Sequence, residues 1–234
     1  STNNPQSSHK TLQDTEHSYV LIDNLKDASS LCRNLLTFRI VAFDTETTGI
    51  DAMSAEMVGM SFAVEGGRAW YVAVPENQAE AQEFVDAFRP FFENEGQIKV
   101  GQNLKYDLTI LSHYGVEVKG ELFDTMLAHY VVEPEQRHNM DYLAETYLHY
   151  RTIHIEELIG TGRNQKNMRE LPPDEICDYA CEDADVTLRL YPILREKMAE
   201  CDVTDVFSKI EMPLLPVLAR IEQNGVRLDT EALQ

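Results

Sequence analysis

The sequence has few basic residues and no long hydrophobic run. It holds 20 Lys and Arg against 40 Asp and Glu, for a net charge of −20 at pH 7. Phosphate binding normally draws on clusters of Lys and Arg, so this charge alone argues against a nucleic-acid-binding protein. Divalent cations held by some of the acidic residues would reverse the local sign, which keeps that class open.

Membrane and secretory signals are also missing. No apolar run approaches the roughly 20 residues that a membrane-spanning helix needs, and the opening "STNNPQSSHK" lacks the apolar segment of a secretory signal. We therefore expect an intracellular protein with no membrane partner.

The four cysteines do not form a recognisable site. An intracellular location favours reduced thiols over disulfides. Cys177 and Cys181 lie four residues apart on a predicted helix, but no second Cys or His pair stands nearby at ligand spacing. The sequence therefore disfavours a structural zinc site.

The order of the predicted elements indicates an α/β fold with a mixed sheet. Residues 1–16 are polar and aperiodic, which predicts a disordered linker. A short strand begins near Tyr19, and an antiparallel meander is predicted for three strand-like runs joined by turns with glycine, "RIVAFDTET", "EMVGMSFAVEGG" and "RAWYVAVP". Pro90 is expected to interrupt the next helix. A buried strand, "IKVGQN", precedes a helix that ends at Gly115, and helices dominate thereafter.

Two carboxylates stand in the predicted buried strand "VAFDTETTGI". Side chains alternate along a strand, so Asp44 and Glu46 share one face. Two buried anions side by side are costly unless something positive compensates them. The alternative is a solvated strand end before a turn, since a lone D-x-E pattern is common.

Further acidic residues lie at helix starts and on a helix face. Asn103 occupies a natural N-cap position, and Asp107 follows about one turn into that helix, where it either favours the helix N-terminus or joins a ligand site at the strand ends. Tyr179 and Asp183 lie four apart, on one face of a helix in "CDYACEDADVTLRLY".

Three other acidic residues are expected to stay outside such a site. We predict that Glu182 and Asp185 are exposed, as acidic runs usually are, and that Asp124 is an N-cap.

Three motifs, "FDTET", "NLKYD" and "YACED", resemble in order and element type those of the DEDD superfamily of 3′–5′ exonucleases, in its tyrosine-bearing branch. The resemblance is closer still to the proofreading exonuclease domain of bacterial DNA polymerase I, through "VGMSFAVE", "KVGQNLKYD", "FDTML", "GTGRNQ" and "YACEDADVTL". It implies a ribonuclease H-like mixed central sheet, with three antiparallel strands followed by parallel strands and flanking helices.

The resemblance also divides the chain. It implies an exonuclease domain over residues 17–203, after the linker of residues 1–16. The run "KIEMPLLPVLARIEQNGVRLD" resembles the opening of the polymerase domain, which gives a truncated polymerase start over 204–234; the compatible alternative is a last helix of the exonuclease core. No polymerase catalytic motif follows, so we expect no DNA synthesis.

The resemblance implies a site for two divalent cations, Mg²⁺ with Mn²⁺ or Zn²⁺ as alternatives. Asp44 would bridge both ions, Glu46 and Asp183 would complete the first, and Asp107 would hold the second through water. Tyr179 would orient the attacking water together with Glu46. A phenol with a pKa near 10 is mostly protonated at neutral pH, so Tyr179 is assigned to positioning and not to general-base catalysis.

Substrate contacts are implied around the motifs. Ile50 stands where the family places a hydrophobic wedge, and Ile155 stands where the family often has an aromatic residue; plain helix packing is an equal alternative for Ile155. Asn103 would contact the DNA backbone or only cap its helix. The remaining candidates lie in the first motif and in a loop that contains glycine: Thr45, Thr47, Arg163 and Gln165.

The resulting hypothesis is a proofreading nuclease. It would release nucleoside monophosphates from the 3′ end of single-stranded or frayed DNA, with a polymerase domain in cis, in the bacterial cytoplasm at the nucleoid. The alternatives are RNA 3′-end trimming like that of ribonuclease D and an inactive spacer module. Loss of metal ligands would mark the inactive case, whereas all four carboxylates and Tyr179 are present here.

Overall fold

A mixed β-sheet organises the molecule. In the computed structural model, which describes residues 9–229 and 232, the sheet has six strands in the order β1-β4-β3-β2-β5-β6. The strands are β1 (Ser18–Ile22), β2 (Ile40–Thr47), β3 (Met57–Glu65), β4 (Arg68–Ala73), β5 (Ile98–Gly101) and β6 (Glu121–Asp124). Strands β2, β3 and β4 pair antiparallel, whereas β1 on β4 and the β2, β5, β6 group pair parallel.

This topology confirms the predicted fold class, including the antiparallel meander of β2 to β4. The short strand β6 was not predicted.

Helices cover both faces of the sheet. They are α1 (Leu25–Leu35), α2 (Gln78–Ala87), α3 (Arg89–Phe92), α4 (Leu104–Ser112), α5 (Thr125–Val132), α6 (Met140–Leu143), α7 (Ile155–Ile159), α8 (Pro173–Glu200), α9 (Thr204–Val206) and α10 (Met212–Asn224). Pro90 lies in the first turn of α3, directly after the break at Phe88, which confirms the predicted interruption. None of the helices in residues 9–229 is long and apolar enough to cross a membrane.

The two faces of β2 have different surroundings. On one face Phe43 meets Phe92 edge-on, with ring centroids 5.3 Å apart, and both belong to a cluster with Phe62, Phe88 and Phe91. The long helix α8 packs against β1 to β4 and brings its acidic residues to β2. Aromatic packing on one side of the strand therefore fixes the backbone that carries Asp44 and Glu46 on the other.

Asp124 joins the starts of two helices. It is the N-cap of α5, where it accepts hydrogen bonds from the backbone of Met126 at 2.9 Å and of Leu127. It also accepts from the backbone N–H groups of Asn103 at 3.1 Å and Leu104 at 2.8 Å, at the start of α4. The predicted N-cap role of Asp124 is confirmed, and it extends to a second helix.

The predicted capping by the Asn103 side chain is wrong. Asn103 occupies the N-cap position of α4 with a left-handed backbone, φ 62°, and its side chain makes no capping hydrogen bond. Asp124 performs that function instead, because its carboxylate lies against the same free N–H groups.

The chain segments at either end of the central domain are also partly described. Residues 1–8 of the predicted disordered linker, which spans residues 1–16, lie outside the described residues. Its described part differs from the prediction, since Leu12–Asp14 form a 3-10 turn and Lys10 pairs with Tyr150. At the other end α10 packs against α4, where Lys105 forms an ion pair with Glu222 at 2.5 Å.

We predict that Asp124→Ala lowers the free energy of unfolding by about 3 kcal/mol, because four backbone N–H groups at two helix starts lose their acceptor. Asn77→Ala is the matched control, since Asn77 caps only α2, and it should cost about 1 kcal/mol. Urea denaturation of both variants measures the difference; equal losses would contradict the double role of Asp124.

Candidate active site

Three carboxylates from two elements meet at the end of β2. Asp44 and Glu46 come from the strand, and Asp183 comes from α8. One oxygen of each lies within 4.8 Å of the other two, so the group could hold a metal ion. Glu46 is only 6% exposed, while Asp44 and Asp183 are partly exposed. The convergence predicted from strand alternation is therefore present.

No side-chain cation balances these charges within the described residues. None of the ion pairs there involves Asp44, Glu46 or Asp183. Burial raises the pKa of Asp44 to about 7. Burial, and then repulsion by neighbouring carboxylates, raises the pKa of Glu46 and of Asp183 well above the ordinary range.

The site has the properties that a divalent cation requires. Glu46 Oε1 is buried and has no hydrogen-bond partner, so it is free to act as a ligand. The donors are all carboxylate oxygens, which suit hard cations such as Mg²⁺ and Mn²⁺ better than metals that prefer thiolates. The residues therefore fit a metal site of this type.

Asp107 lies beside this group on α4 and is held by Thr45. Its Oδ1 accepts hydrogen bonds from the Thr45 backbone N–H at 3.1 Å and from the Thr45 hydroxyl at 2.5 Å. Burial, followed by the charge of Asp44, raises its pKa well above the usual range. Asp107 is thus close enough to Asp44 to interact electrostatically, although it is not one of the three carboxylates that meet within 4.8 Å.

Tyr179 lies one helical turn before Asp183, close enough to interact with it electrostatically. Burial raises the pKa of the Tyr179 phenol above its ordinary value, and the charges of Asp183, Glu46 and Asp44 raise it further. Tyr179 is therefore a neutral hydrogen-bond donor at the edge of the carboxylate group.

An open cleft of about 720 Å³ lies beside Glu46. Most of the predicted substrate contacts line it: Thr45, Thr47, Ile50, Asn103, Ile155 and Gln165. Arg163 lies on the exposed 3-10 turn Gly162–Asn164, outside the lining. The Ile50 side chain is fully exposed to solvent, whereas Ile155 is 38% exposed at the first residue of α7.

Tyr106 is a cleft residue that the sequence analysis missed. Its hydroxyl donates to the carbonyl of Gly49 and contacts the Thr47 hydroxyl, so it fixes the turn that leads to Ile50. Its position in the motif "NLKYD", immediately before Asp107, was the feature of the sequence that could have identified Tyr106 as a residue near the site. Asn167 also lines the cleft and donates through Nδ2 to the carbonyl of Thr48 at 2.9 Å.

Glu182 and Asp185 are not surface residues, and the prediction that they are exposed is wrong. Glu182 is fully buried and accepts hydrogen bonds from the Tyr150 hydroxyl at 2.5 Å and the Ile153 N–H at 2.6 Å. Asp185 accepts from Tyr19 and Gly67. An acidic run on a helix packed against a sheet can point inward when buried donors meet it.

Solved structures share this fold. The chain matches Escherichia coli RNase D with a TM-score of 0.70 and 17% identity, over 89% of this chain and 52% of that one. It matches Brucella melitensis NrnC with a TM-score of 0.69 and 18% identity, over 90% and 94% of the two chains. At these identities the likeness concerns the fold alone.

Proteins that are similar in sequence identify the family more closely than the fold does. DNA polymerase I of Pseudomonas aeruginosa is 43% identical over 205 residues, which is 83% of this chain and 22% of that protein. DNA polymerase I of Rhizobium leguminosarum is 35% identical in an alignment that covers 95% of this chain and 24% of that protein. The chain thus spans about a quarter of their length or less.

The family profile described as 3′–5′ exonuclease matches residues 19–199. This match contains β2, α4 and most of α8, and therefore all four carboxylates and Tyr179. The chain belongs to the 3′–5′ exonuclease domain family of bacterial DNA polymerase I.

Proposed function

We propose that the chain is a metal-dependent nuclease that releases nucleoside monophosphates from the 3′ end of single-stranded or frayed DNA. The observation that carries this proposal is the group of Asp44, Glu46 and Asp183, whose charges no side-chain cation balances among the described residues. An open cleft beside Glu46 gives a DNA strand access to them.

Each carboxylate has a proposed role. Asp44, Glu46 and Asp183 would hold the first of two cations, and Asp44 together with Asp107, the latter through water, would hold the second. Divalent cations at such a site would supply an activated water and neutralise charge at the scissile phosphate. We assign Mg²⁺ as the physiological ion, with Mn²⁺ or Zn²⁺ as substitutes.

The neutral Tyr179 hydroxyl serves to position the attacking water. It interacts with Asp183, and the unpartnered Oε1 of Glu46 is available as an acceptor for the same water. Since burial and the neighbouring carboxylates raise the pKa of Tyr179, the phenol keeps its proton and does not act as a base.

Apolar and polar groups of the cleft would hold the terminal nucleotide. Ile50 would wedge against the last base, and Ile155 would contact it from α7, without the aromatic stacking that is worth about 1 to 3 kcal/mol per base. Thr47, Asn103 and Gln165 offer polar contacts along the strand, while Arg163 stands outside the cleft, where it would meet a phosphate further from the end.

The preference for frayed ends follows from how a duplex would enter the cleft. A duplex must separate at its end before a single strand fits, and mismatched ends unpair at the least cost. This bias would be the physical basis of proofreading.

DNA is preferred over RNA as the proposed substrate, because the curated relatives above are DNA polymerases. Trimming of RNA 3′ ends is the alternative, suggested by a shared fold with RNase D. Matched DNA and RNA oligonucleotides separate the two: we expect faster release from DNA, and an equal or faster rate on RNA would favour the alternative.

Residues 204–234 would form the start of a polymerase domain. That domain would be the partner of the exonuclease domain within the same polypeptide. We propose that the protein acts in the bacterial cytoplasm, at the nucleoid. The family match ends at residue 199, before α9 and α10. Apolar side chains also stand exposed along this segment: Ile210, Leu214, Val217 and Ile221. Such a face suits burial against a following domain.

We predict that Asp44→Ala and Asp183→Ala each lower the rate of monophosphate release by about 10²-fold or more, because each removes a ligand from the group of three. Glu196→Ala is the control, since Glu196 is an exposed acid on the same helix. Release is measured from a labelled single-stranded oligonucleotide in Mg²⁺, with circular dichroism to verify folding. Retained activity in either variant would refute the assignment.

We predict that the metal-free protein loses stability as pH rises from about 4, the ordinary carboxyl pKa, through about 7, the raised value of Asp44. A raised pKa means that the folded state binds more protons than the unfolded state in this range, so stability falls with pH. Asp44→Asn should therefore raise the melting temperature in EDTA at pH 8 but not at pH 4.

The cation should have the complementary effect. Mn²⁺ should stabilise the wild-type protein more at pH 8 than at pH 4, since binding requires ionised ligands. Thermal denaturation with and without Mn²⁺ measures this, and a stabilisation independent of pH would contradict a carboxylate site.

A further inference from the structure

The segment of residues 150–154 leads directly into a wall of the cleft. It joins a π-helical turn, Ala144–Leu148, to α7, whose residues Ile155 and Ile159 line the cleft. The segment itself is in neither a helix nor a strand, apart from the pairing of Tyr150 with Lys10. Backbone hydrogen bonds hold only its first residues, Tyr150 to Ala144 and Arg151 to Lys10, so the residues that lead into α7 depend on side-chain contacts.

Glu182 supplies two of those contacts from α8. Its carboxylate is fully buried, and it accepts hydrogen bonds from the Tyr150 hydroxyl at 2.5 Å and from the Ile153 backbone N–H at 2.6 Å. Glu182 is also the residue immediately before Asp183, so one rigid helix carries both the metal-site carboxylate and this anchor.

Asp141 supplies two further contacts from α6. The Thr152 hydroxyl donates to Asp141 Oδ1 at 2.7 Å, and His154 Nδ1 lies 3.1 Å from Oδ2. Four of the five residues from 150 to 154 are therefore bound by two acids on two helices.

We propose that Glu182 is a positioning residue, which sets the distance between the α7 wall of the cleft and Asp183. A nucleotide held against Ile155 would then lie at a fixed place relative to the carboxylates. Loosening this anchor would leave the α7 wall less well ordered, so that binding a strand against Ile155 would carry an added ordering cost and become weaker. This inference rests on the proposed nuclease function.

The same helix provides a matched control. Asp185 is also buried, and it also accepts from one tyrosine hydroxyl, that of Tyr19 at 2.8 Å, and from one backbone N–H, that of Gly67 at 2.9 Å. Its partners lie in the edge strand β1 and in the turn between β3 and β4, and neither lines the cleft. The two acids have the same chemistry but anchor different parts of the fold.

The test compares Tyr150→Phe with Tyr19→Phe. Each removes one hydroxyl donor from a buried carboxylate of α8 and keeps the ring, so both should lower the melting temperature to a similar extent. Only Tyr150→Phe should weaken binding of a single-stranded DNA oligonucleotide, with Kd and KM raised about threefold to tenfold and kcat changed by less than about twofold. Kd is measured by fluorescence anisotropy in Ca²⁺, and KM and kcat in Mg²⁺.

A double-mutant cycle identifies the route of the effect. If Glu182 acts through the α7 wall, Tyr150→Phe should add little to Ile155→Ala, because the contact it positions is already gone. Equal shifts of Kd in both tyrosine variants, no shift in Tyr150→Phe, or additive effects with Ile155→Ala would overturn the inference.

Failure of the proposed function gives a different result. A wild-type protein that binds the oligonucleotide but does not cleave it in Mg²⁺ or Mn²⁺ would refute the nuclease proposal, while the Kd comparison would still decide the role of Glu182. A wild-type protein that neither binds nor cleaves would overturn both.

Discussion

The main constraint on this fold is the repulsion among the carboxylates of Asp44, Glu46 and Asp183. One oxygen of each lies within 4.8 Å of the other two. None of the ion pairs in the described part of the chain involves them. Buried anions of this kind oppose folding unless protons or metal ions compensate them. The rest of the fold must therefore hold them in place. It does so by packing a cluster of phenylalanine rings on one face of β2 and a 28-residue helix across the sheet.

Hydrogen bonds from outside the group keep its members aligned. Asp107 is fixed by Thr45 on β2, and Asp124 holds the turn from which α4 begins, so β2 and α4 keep one geometry. The Tyr106 hydroxyl, one residue before Asp107, fixes the turn that leads to Ile50. Strand β2 and helix α4 thus each carry carboxylates directly beside residues that line the cleft, which couples the shape of the cleft to the placement of the carboxylates.

The sequence was sufficient to predict elements whose signals are local. Alternation in β2 placed Asp44 and Glu46 on one face, and helical spacing placed Tyr179 with Asp183. It failed where the deciding partner lies far along the chain. Asn103 fits an N-cap position, but the acceptor is Asp124, 21 residues later.

Glu182 shows the same limit more strongly. It reads as a surface acid because local composition gives no sign of burial, whereas its two donors come from about 30 residues earlier in the chain and meet it only through the packing of α8.

The acidic composition has a related consequence at the cleft. Among the described residues that line it, Lys166 is the only cation, and Lys105 nearby is bound to Glu222. With so few cations along the cleft, the proposed binding of a DNA strand should depend only weakly on salt, and grip on the terminal phosphate would depend mainly on the proposed metal site. An exonuclease of the proposed kind would gain from this arrangement, because the shortened strand and the monophosphate would leave without having to break many ion pairs.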